Sequence, residues 1–270
     1  METKKFILIA ETFQGAFFPR GNYKNILQLE TDIAQISSLI LLFSESYGSA
    51  VELGAFATLS EISKRLLVVI DDHFYDQESF VRLGPIKFLE ETHGSNTVCV
   101  LDRDEIGITV LIPTERIDFS RLNMAIFFER VNSAILSKTT SISSSESREH
   151  TTLNKDRPGH IIKLITGLIQ HYGALTEGEI EAFLDAIKLP QETSRIHDYL
   201  VCAQLVEWID KKKRGGETFY FPKTLNKSMS FGLISGIKKL DRIRWKADIV
   251  SYWKKNDPER FGVIRAGVIT

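Results

Sequence analysis

Three apolar runs, SLILLF, LLVVI and VCVL, recur through the first hundred residues and constrain the fold more than any other feature. Leu39–Phe43 and Leu66–Ile70 are continuously apolar rather than alternating, which is the pattern of strands buried on both faces. Between the strand-like runs the spacing turns helical. Asn25–Ser37 carries Ile26, Leu29, Ile33 and Ile36 on one face, and Ala50 to about Lys64 reads as a second helix. Lys5–Ala10 (KFILIA), Val98–Leu101 and Thr109–Ile112 are further strand candidates, and Ser120–Leu136 is helix-like. Strands alternating with helices predict an α/β module built on a parallel sheet covered on both faces.

The texture then changes. Ser137–Gly159, SKTTSISSSESREHTTLNKDRPG, offers almost nothing to bury and reads as a polar linker, flexible in its serine-rich part. After it, His160–His171 is an amphipathic helix that Gly173 can terminate. Thr176–Glu179 fits a capping box for a helix reaching about Ile187, and Gln191–Leu205 supplies a third helix. VEWIDKKKRGGETFYF reads as strand, Gly-Gly turn, strand. Three short helices and a β-hairpin are the order of a winged helix. A basic tail, Lys238–Lys255, holds Trp245 and Trp253 on what reads as another helix, where core packing is their ordinary role. The expected division is 1–136 for the α/β domain, 137–157 for the linker and 158–270 for a smaller winged-helix domain.

Charge divides in the same place. Arg195–Arg260 holds 15 basic and 8 acidic residues, although the whole chain has a formal net charge of −1. An acidic front and a basic back predict modules with different partners. Cys99 and Cys202 lie far apart in apolar surroundings, which predicts a reducing, cytoplasmic setting without a disulfide framework or zinc site. No signal peptide or membrane span is legible.

The stretch FSESYGSAVELGAFA, Phe43–Ala57, follows a strand and admits two readings. In open parallel sheets ligands bind beyond the carboxyl ends of the strands, and the loop Ser44–Ser49 lies there. Gly48 allows a tight turn, and the next helix offers free N–H groups to an anion or sugar hydroxyl. Against this, Ser49-Ala50-Val51-Glu52 is a capping box with Ser49 as N-cap and Glu52 at the third helical position. Gly54, costly within a helix, is explained by close approach of a ligand or by packing. Spacing alone leaves both readings open.

The two halves E-S-x-G-S and E-L-G-A-F, followed by a strand and then G-P with an apolar helix (RLLVVIDDHFYDQESFVRLGPIKFLE), resemble the nucleoside deoxyribosyltransferase-like module of bacterial retron effector proteins. The resemblance covers about residues 26–92, and the linker and winged helix also fit. It implies a Rossmann-like N-glycosidase, acting on NAD or a related nucleotide as substrate and needing no cofactor. It further implies a toxin of anti-phage defence, held in check by a retron reverse transcriptase and its msDNA. Glu52 falls at the family's catalytic glutamate. Glu45 would orient sugar hydroxyls or water as a second catalytic carboxylate, and Ser46, Gly48 and Ser49 would hold hydroxyl or phosphate oxygens, with Glu11 and Asp71 at the pocket rim. The strand that such folds place before the KFILIAE segment has no counterpart in this reading, so the expectation is that it is missing, that the sheet is completed differently, or that a partner chain, a homo-oligomer among the options, supplies the missing wall.

Asp71, Asp72 and His73 follow a strand, but with no second histidine nearby a solvated loop rim is the expectation over a metal site. Glu30 reads as a surface glutamate. No P-loop, G-x-S-x-G or H-E-x-x-H pattern appears. Lys211, Lys212, Lys213 and Arg214 form a basic wing tip suited to nucleic-acid phosphates, or simply a solubilised hairpin. Only Arg195 and His197 are basic on the third helix, which weakens major-groove readout by that helix. A non-enzymatic alternative follows: a winged-helix DNA-binding regulator whose α/β domain senses a nucleotide.

Overall fold

Residues far apart in sequence decide how the chain divides. The computed structural model describes residues 7–9, 23, 25–111, 116–146, 153–224, 228 and 242–267. The chain forms two compact units, one of Met1–Ile36 with Leu153–Thr270 and the other of Ser37–Thr152. Helix α1, Ile26–Ile36, has the amphipathic spacing read from its sequence. It belongs to the first unit, not to the α/β unit that follows it.

The second unit is α/β. Strands β1 (Ile40–Phe43), β2 (Leu66–Asp71) and β3 (Val98–Leu101) form a parallel sheet in the order β1-β2-β3. Helices α2 (Tyr47–Ala57) and α3 (Ser60–Ser63) connect the first pair. Between the second pair lie α4 (Asp72–Asp76), a π-helical turn at Arg82–Ile86 containing the Gly84-Pro85 pair, α5 (Lys87–His93) and a 3-10 turn at Ser95–Thr97. Leu66–Ile70 are all buried, as their unbroken apolar run requires.

Past β3 come α6 (Arg103–Ile106), β4 (Thr109–Leu111), β5 (Arg116–Asp118) and α7 (Met124–Glu146). The β4 segment, expected in the parallel sheet, instead pairs antiparallel with β5. Leu111 faces Arg116 directly, and so short a connection can join only antiparallel strands. One face of the sheet, Leu67, Val69, Cys99 and Leu101, packs with Val131, Ile126 and Ile135 of α7. Half of the expected KFILIA strand lies outside the described residues, and its residues 7–9 are not in a strand.

Helix α7 also overturns part of the linker reading. It runs through Ser137–Glu146, with Lys138 and Ile142, four residues apart, both buried. Serine and threonine are tolerable in a helix whose inner face is filled this way, and Thr139 and Thr140 donate their hydroxyls back to the carbonyls of Ile135 and Leu136.

The rest of the first unit contains α8 (Pro158–Tyr172), α9 (Glu177–Ala186), α10 (Thr193–Leu205), the hairpin β6 (Ile209–Arg214) and β7 (Glu217–Pro222), α11 (Arg242–Asn256) and α12 (Pro258–Gly267). Gly173 ends α8 at φ 84°, and the Thr176–Glu179 capping box opens α9. Ile161, Ile165, Ile180, Leu184, Ile196 and Leu200 form the core, joined by Leu29 and Ile33 of α1.

Two polar hubs hold this unit. Asp32 on α1 receives Arg195 Nη2 of α10 at 2.8 Å and the Tyr23 hydroxyl at 3.0 Å, while Arg195 Nη1 reaches Asp198 at 3.0 Å. Arg260 of α12 donates to Glu179 at 2.6 Å and to Asp257 at 3.0 Å, and its guanidinium lies 3.9 Å from the Trp253 ring. Trp253 also donates Nε1–H to the Tyr172 carbonyl at 3.0 Å, and Trp245 meets His171 edge-on at 4.4 Å. Both tryptophans therefore pack within the unit. Cys99 and Cys202 are free and buried, and no helix among the described residues is long and apolar enough to cross a membrane.

Candidate functional site

The loop after β1 shows where the helix cap lies. Backbone pairing continues past the strand through Ser44 N–H to the Val69 carbonyl at 2.9 Å. Helix α2 then starts at Tyr47 with Ser46 as N-cap. Ser49 N–H donates to Ser46 Oγ at 3.1 Å, and Ser49 Oγ accepts from the backbone N–H of Ser46 at 3.0 Å and of Glu45 at 3.1 Å.

The capping box is thus Ser46 with Ser49, not Ser49 with Glu52. Starting one turn earlier satisfies the orphan N–H groups with two short hydroxyl side chains, and leaves the glutamate six residues into the helix. Glu52 is half-buried on the second turn, one turn along from Gly48 and Ser49 on the same side of the helix. The dipole effect has faded there, so its carboxylate is not part of the cap.

The glycines take on a different meaning in this register. Gly48 lies in the first turn of α2 without a left-handed φ, so no tight turn demands it. A Cβ at Gly48 would meet only Ser46 Oγ at 3.6 Å, and one at Gly54 nothing within 4 Å. Packing among the described residues therefore does not explain the absence of a side chain at Gly54.

Beside this loop, β2 ends in Asp71, two residues past the Phe43–Val69 pairing. Asp71 caps α4 through Phe74 N–H at 3.0 Å and holds Arg103 Nη2 at 3.0 Å. Arg103 follows β3, rests 5.3 Å over the Phe74 ring, and donates its backbone N–H to Asp72 at 3.3 Å. Its buried Nε has no acceptor among the described residues. Asp72, His73, Asp76, Gln77, Arg103 and Asp104 line an open depression of about 480 Å³. No group of three or more His, Cys, Asp or Glu among the described residues is placed to hold a metal ion.

A second depression, of about 560 Å³, is lined in part by Tyr75, Arg82 and Glu90. Tyr75 donates to Glu90 at 2.7 Å, Arg82 donates to Glu90 at 2.9 Å and to the Tyr75 hydroxyl at 3.0 Å, and the guanidinium lies 4.1 Å from the Tyr75 ring centre. The hydrogen bond to Glu90 raises the Tyr75 pKa.

The structure therefore puts Ser46 and Ser49 in one cap that also takes the Glu45 backbone N–H, with Gly48 on the first turn, Glu52 on the second and Asp71 at the end of the neighbouring strand. Glu11 lies outside the described residues. Arg103, Tyr75, Arg82 and Glu90 were missed from sequence, and the signal for Arg103 was its place two residues past a strand at the carboxyl edge.

In the first unit, Lys211, Lys212, Lys213 and Arg214 are exposed along β6, opposite Tyr220, Phe219, Thr218 and Glu217. Among the described residues none of the four is in an ion pair. The basic residues of α10 are engaged instead: Arg195 by Asp32 and Asp198, and His197 by Glu177 at 3.4 Å.

A segment of 67 residues is 37% identical to the Escherichia coli protein named "Retron Ec73 putative ribosyltransferase/DNA-binding protein", covering 25% of this chain and 21% of that one. Another of 74 residues is 32% identical to the Escherichia coli "Retron Ec86 putative ribosyltransferase/DNA-binding protein", covering 27% of this chain and 24% of that one. The alignments thus span about a quarter or less of these relatives' lengths. Residues 1–211 match the model of the STM3845 retron effector protein family, and the chain belongs to that family.

Proposed function

We propose that the α/β unit is a nucleoside deoxyribosyltransferase-like N-glycosidase that cleaves the bond between base and ribose in NAD or a related nucleotide. The observation that carries this reading is the position of Glu52, outside the cap and one turn beyond it. Cleavage passes through an oxocarbenium-like state at the anomeric carbon, which a carboxylate on one sugar face stabilises or captures. Glu52 takes that role and Glu45, exposed in the loop that leads into the helix, orients a sugar hydroxyl or the attacking water. Gly48 leaves the helix face beside Glu52 open for the sugar, and Ser46 keeps an acceptor lone pair for a hydroxyl while serving the cap, whereas both lone pairs of Ser49 Oγ are taken by the N–H groups of Glu45 and Ser46. Asp71, held by Arg103, forms the rim. The ribosyltransferase element in the relatives' names supports the same class of chemistry.

The hairpin unit, read as a winged helix, is the nucleic-acid module. Its exposed cations on β6 favour contact with phosphates, whereas the engagement of Arg195 and His197 disfavours base readout by α10. Family membership supports the wider role: a cytoplasmic retron effector, toxic to the cell during phage infection and otherwise restrained by reverse transcriptase and msDNA. The test is release of free base from NAD by the purified chain, compared with Glu52→Gln. Equal release by the two proteins removes Glu52 from the chemistry, and no release by wild type returns the α/β unit to a nucleotide sensor.

A further inference from the structure

The parallel sheet has an open edge at β1, and the hydrogen bonds of that strand identify the groups left over. Ile40 N–H donates to the Arg65 carbonyl and Ser44 N–H to the Val69 carbonyl, both at 2.9 Å. Along a parallel strand the backbone groups alternate from one side to the other. Ile40, Leu42 and Ser44 therefore face β2, while Leu41 and Phe43 turn their N–H and C=O groups away from it. No strand among the described residues pairs with that side.

The side chains of this edge are uncovered as well. Leu41 and Phe43 pair with Leu67 and Val69 and so share the sheet face that packs on α7. They are nevertheless 36% and 37% exposed, whereas Cys99 and Leu101 on the same face at the opposite edge are 7% and 6% exposed. Phe43 stacks on Phe127 of α7 at 6.5 Å, and the exposed Phe128 meets Phe127 edge-on at 5.7 Å. Free edges are ordinarily blunted by charge or proline, and Ser37–Ser44 contains neither. Other strands of the chain are already engaged, β4 with β5 and β6 with β7. Leu8, within the strand-like KFILIA segment, packs against the core of the first unit instead.

We infer that β1 pairs antiparallel with β1 of a second copy, joining two three-stranded sheets into one of six strands. The strand is self-complementary about Leu42, as a two-fold interface requires. With the axis at Leu42, Leu41 faces the partner's Phe43 and Phe43 faces the partner's Leu41. Each of these pairs exchanges two hydrogen bonds, which satisfies every outward group of Leu41 and Phe43. Leu42 meets the partner's Leu42 in the non-hydrogen-bonded pair between them. The axis stands perpendicular to the sheet, so both α7 helices lie on one face, and Leu41 and Phe43 of the two copies cover one another as cross-strand neighbours. The same strand leads into the Ser44–Ser49 loop, so pairing anchors the end of β1 that carries Glu45 and Ser46.

Sedimentation equilibrium of the full chain tests this interface. Wild type should approach twice the 30.7 kDa chain mass as concentration rises. Leu41→Lys, which places a charge on the edge, should raise the dissociation constant by about tenfold or more. Leu42→Cys should form an intermolecular disulfide under mild oxidation, because a non-hydrogen-bonded antiparallel pair brings its Cα atoms to about 4.5 Å. Leu41→Cys, opposite the partner's Phe43, should not. Should Leu41→Lys fail to fold, hydrogen exchange of wild type reads the same edge: the Leu41 and Phe43 amides should lose protection on dilution. A wild type that stays monomeric, a dimer equally strong in folded Leu41→Lys, unprotected Leu41 and Phe43 amides at high concentration, or cross-linking at position 41 rather than 42 overturns the proposal.

Discussion

Ser46 and Ser49 cap helix α2 reciprocally, each backbone N–H donating to the other's hydroxyl at 3.0–3.1 Å. This pair takes over the role that the sequence also offered to Glu52, and it separates a folding residue from a candidate chemical one. Ser46→Ala should lower stability by about 1 kcal/mol, whereas Glu52→Gln should leave the denaturation midpoint within about 0.5 kcal/mol of wild type. Equilibrium urea unfolding of both variants checks the contrast.

Asp32→Asn should destabilise the chain by about 3 kcal/mol, because it weakens the carboxylate that holds Arg195 while leaving the guanidinium largely buried. The loss should appear as faster hydrogen exchange in both α1 and α10, since the Asp32–Arg195 bond joins them. Exchange confined to α1 would show that the hub does not bind the two helices.

This pairing also marks the limit of what the sequence could reveal. Apolar runs located β1, β2 and β3, and Thr176-Glu179 gave the α9 cap, because those signals are local. Asp32 and Arg195 are 163 positions apart, and no local pattern assigns α1 to the later unit. The α2 cap was misplaced by one turn because Ser46 and Ser49 are both good N-caps and periodicity does not choose between them. The serine-rich run hid a helix because Lys138, polar by type, occupies a buried position. Helix α12 had a legible start in Asp257-Pro258, where Asp257 accepts Arg260 N–H, but its apolar face is too short to stand out.

Lys138 also predicts a pH dependence whose sign is fixed. Its folded pKa, about 8, lies below the unfolded value near 10.5. Between those values the unfolded chain binds more protons, so this group makes stability rise with pH, by at most about 1.4 kcal/mol per pH unit. Tyrosines and cysteines raised by burial act oppositely at high pH, so the quantity to measure is the difference between wild type and Lys138→Met from pH 8 to 10.5. That difference should move in favour of wild type as pH rises.

Replacing Lys211, Lys212, Lys213 and Arg214 with alanine should weaken binding to duplex DNA equally across sequences. The slope of log affinity against log salt should fall by about 0.9 for each phosphate contact removed. Their exposure on β6 makes the folding cost small, which circular dichroism will confirm. An unchanged slope would remove the hairpin from nucleic-acid binding.

The central claim is that Glu52 performs chemistry on an N-glycosidic bond. Its most direct test is chromatographic release of nicotinamide from NAD, and of free base from nucleosides and nucleotides, by purified wild-type and Glu52→Gln chains of matched stability. The account predicts release by wild type and a fall of about 10²–10³-fold in the variant, as expected when a group stabilising transition-state charge is lost. Equal rates from the two proteins, or no release of any base by wild type, would contradict it.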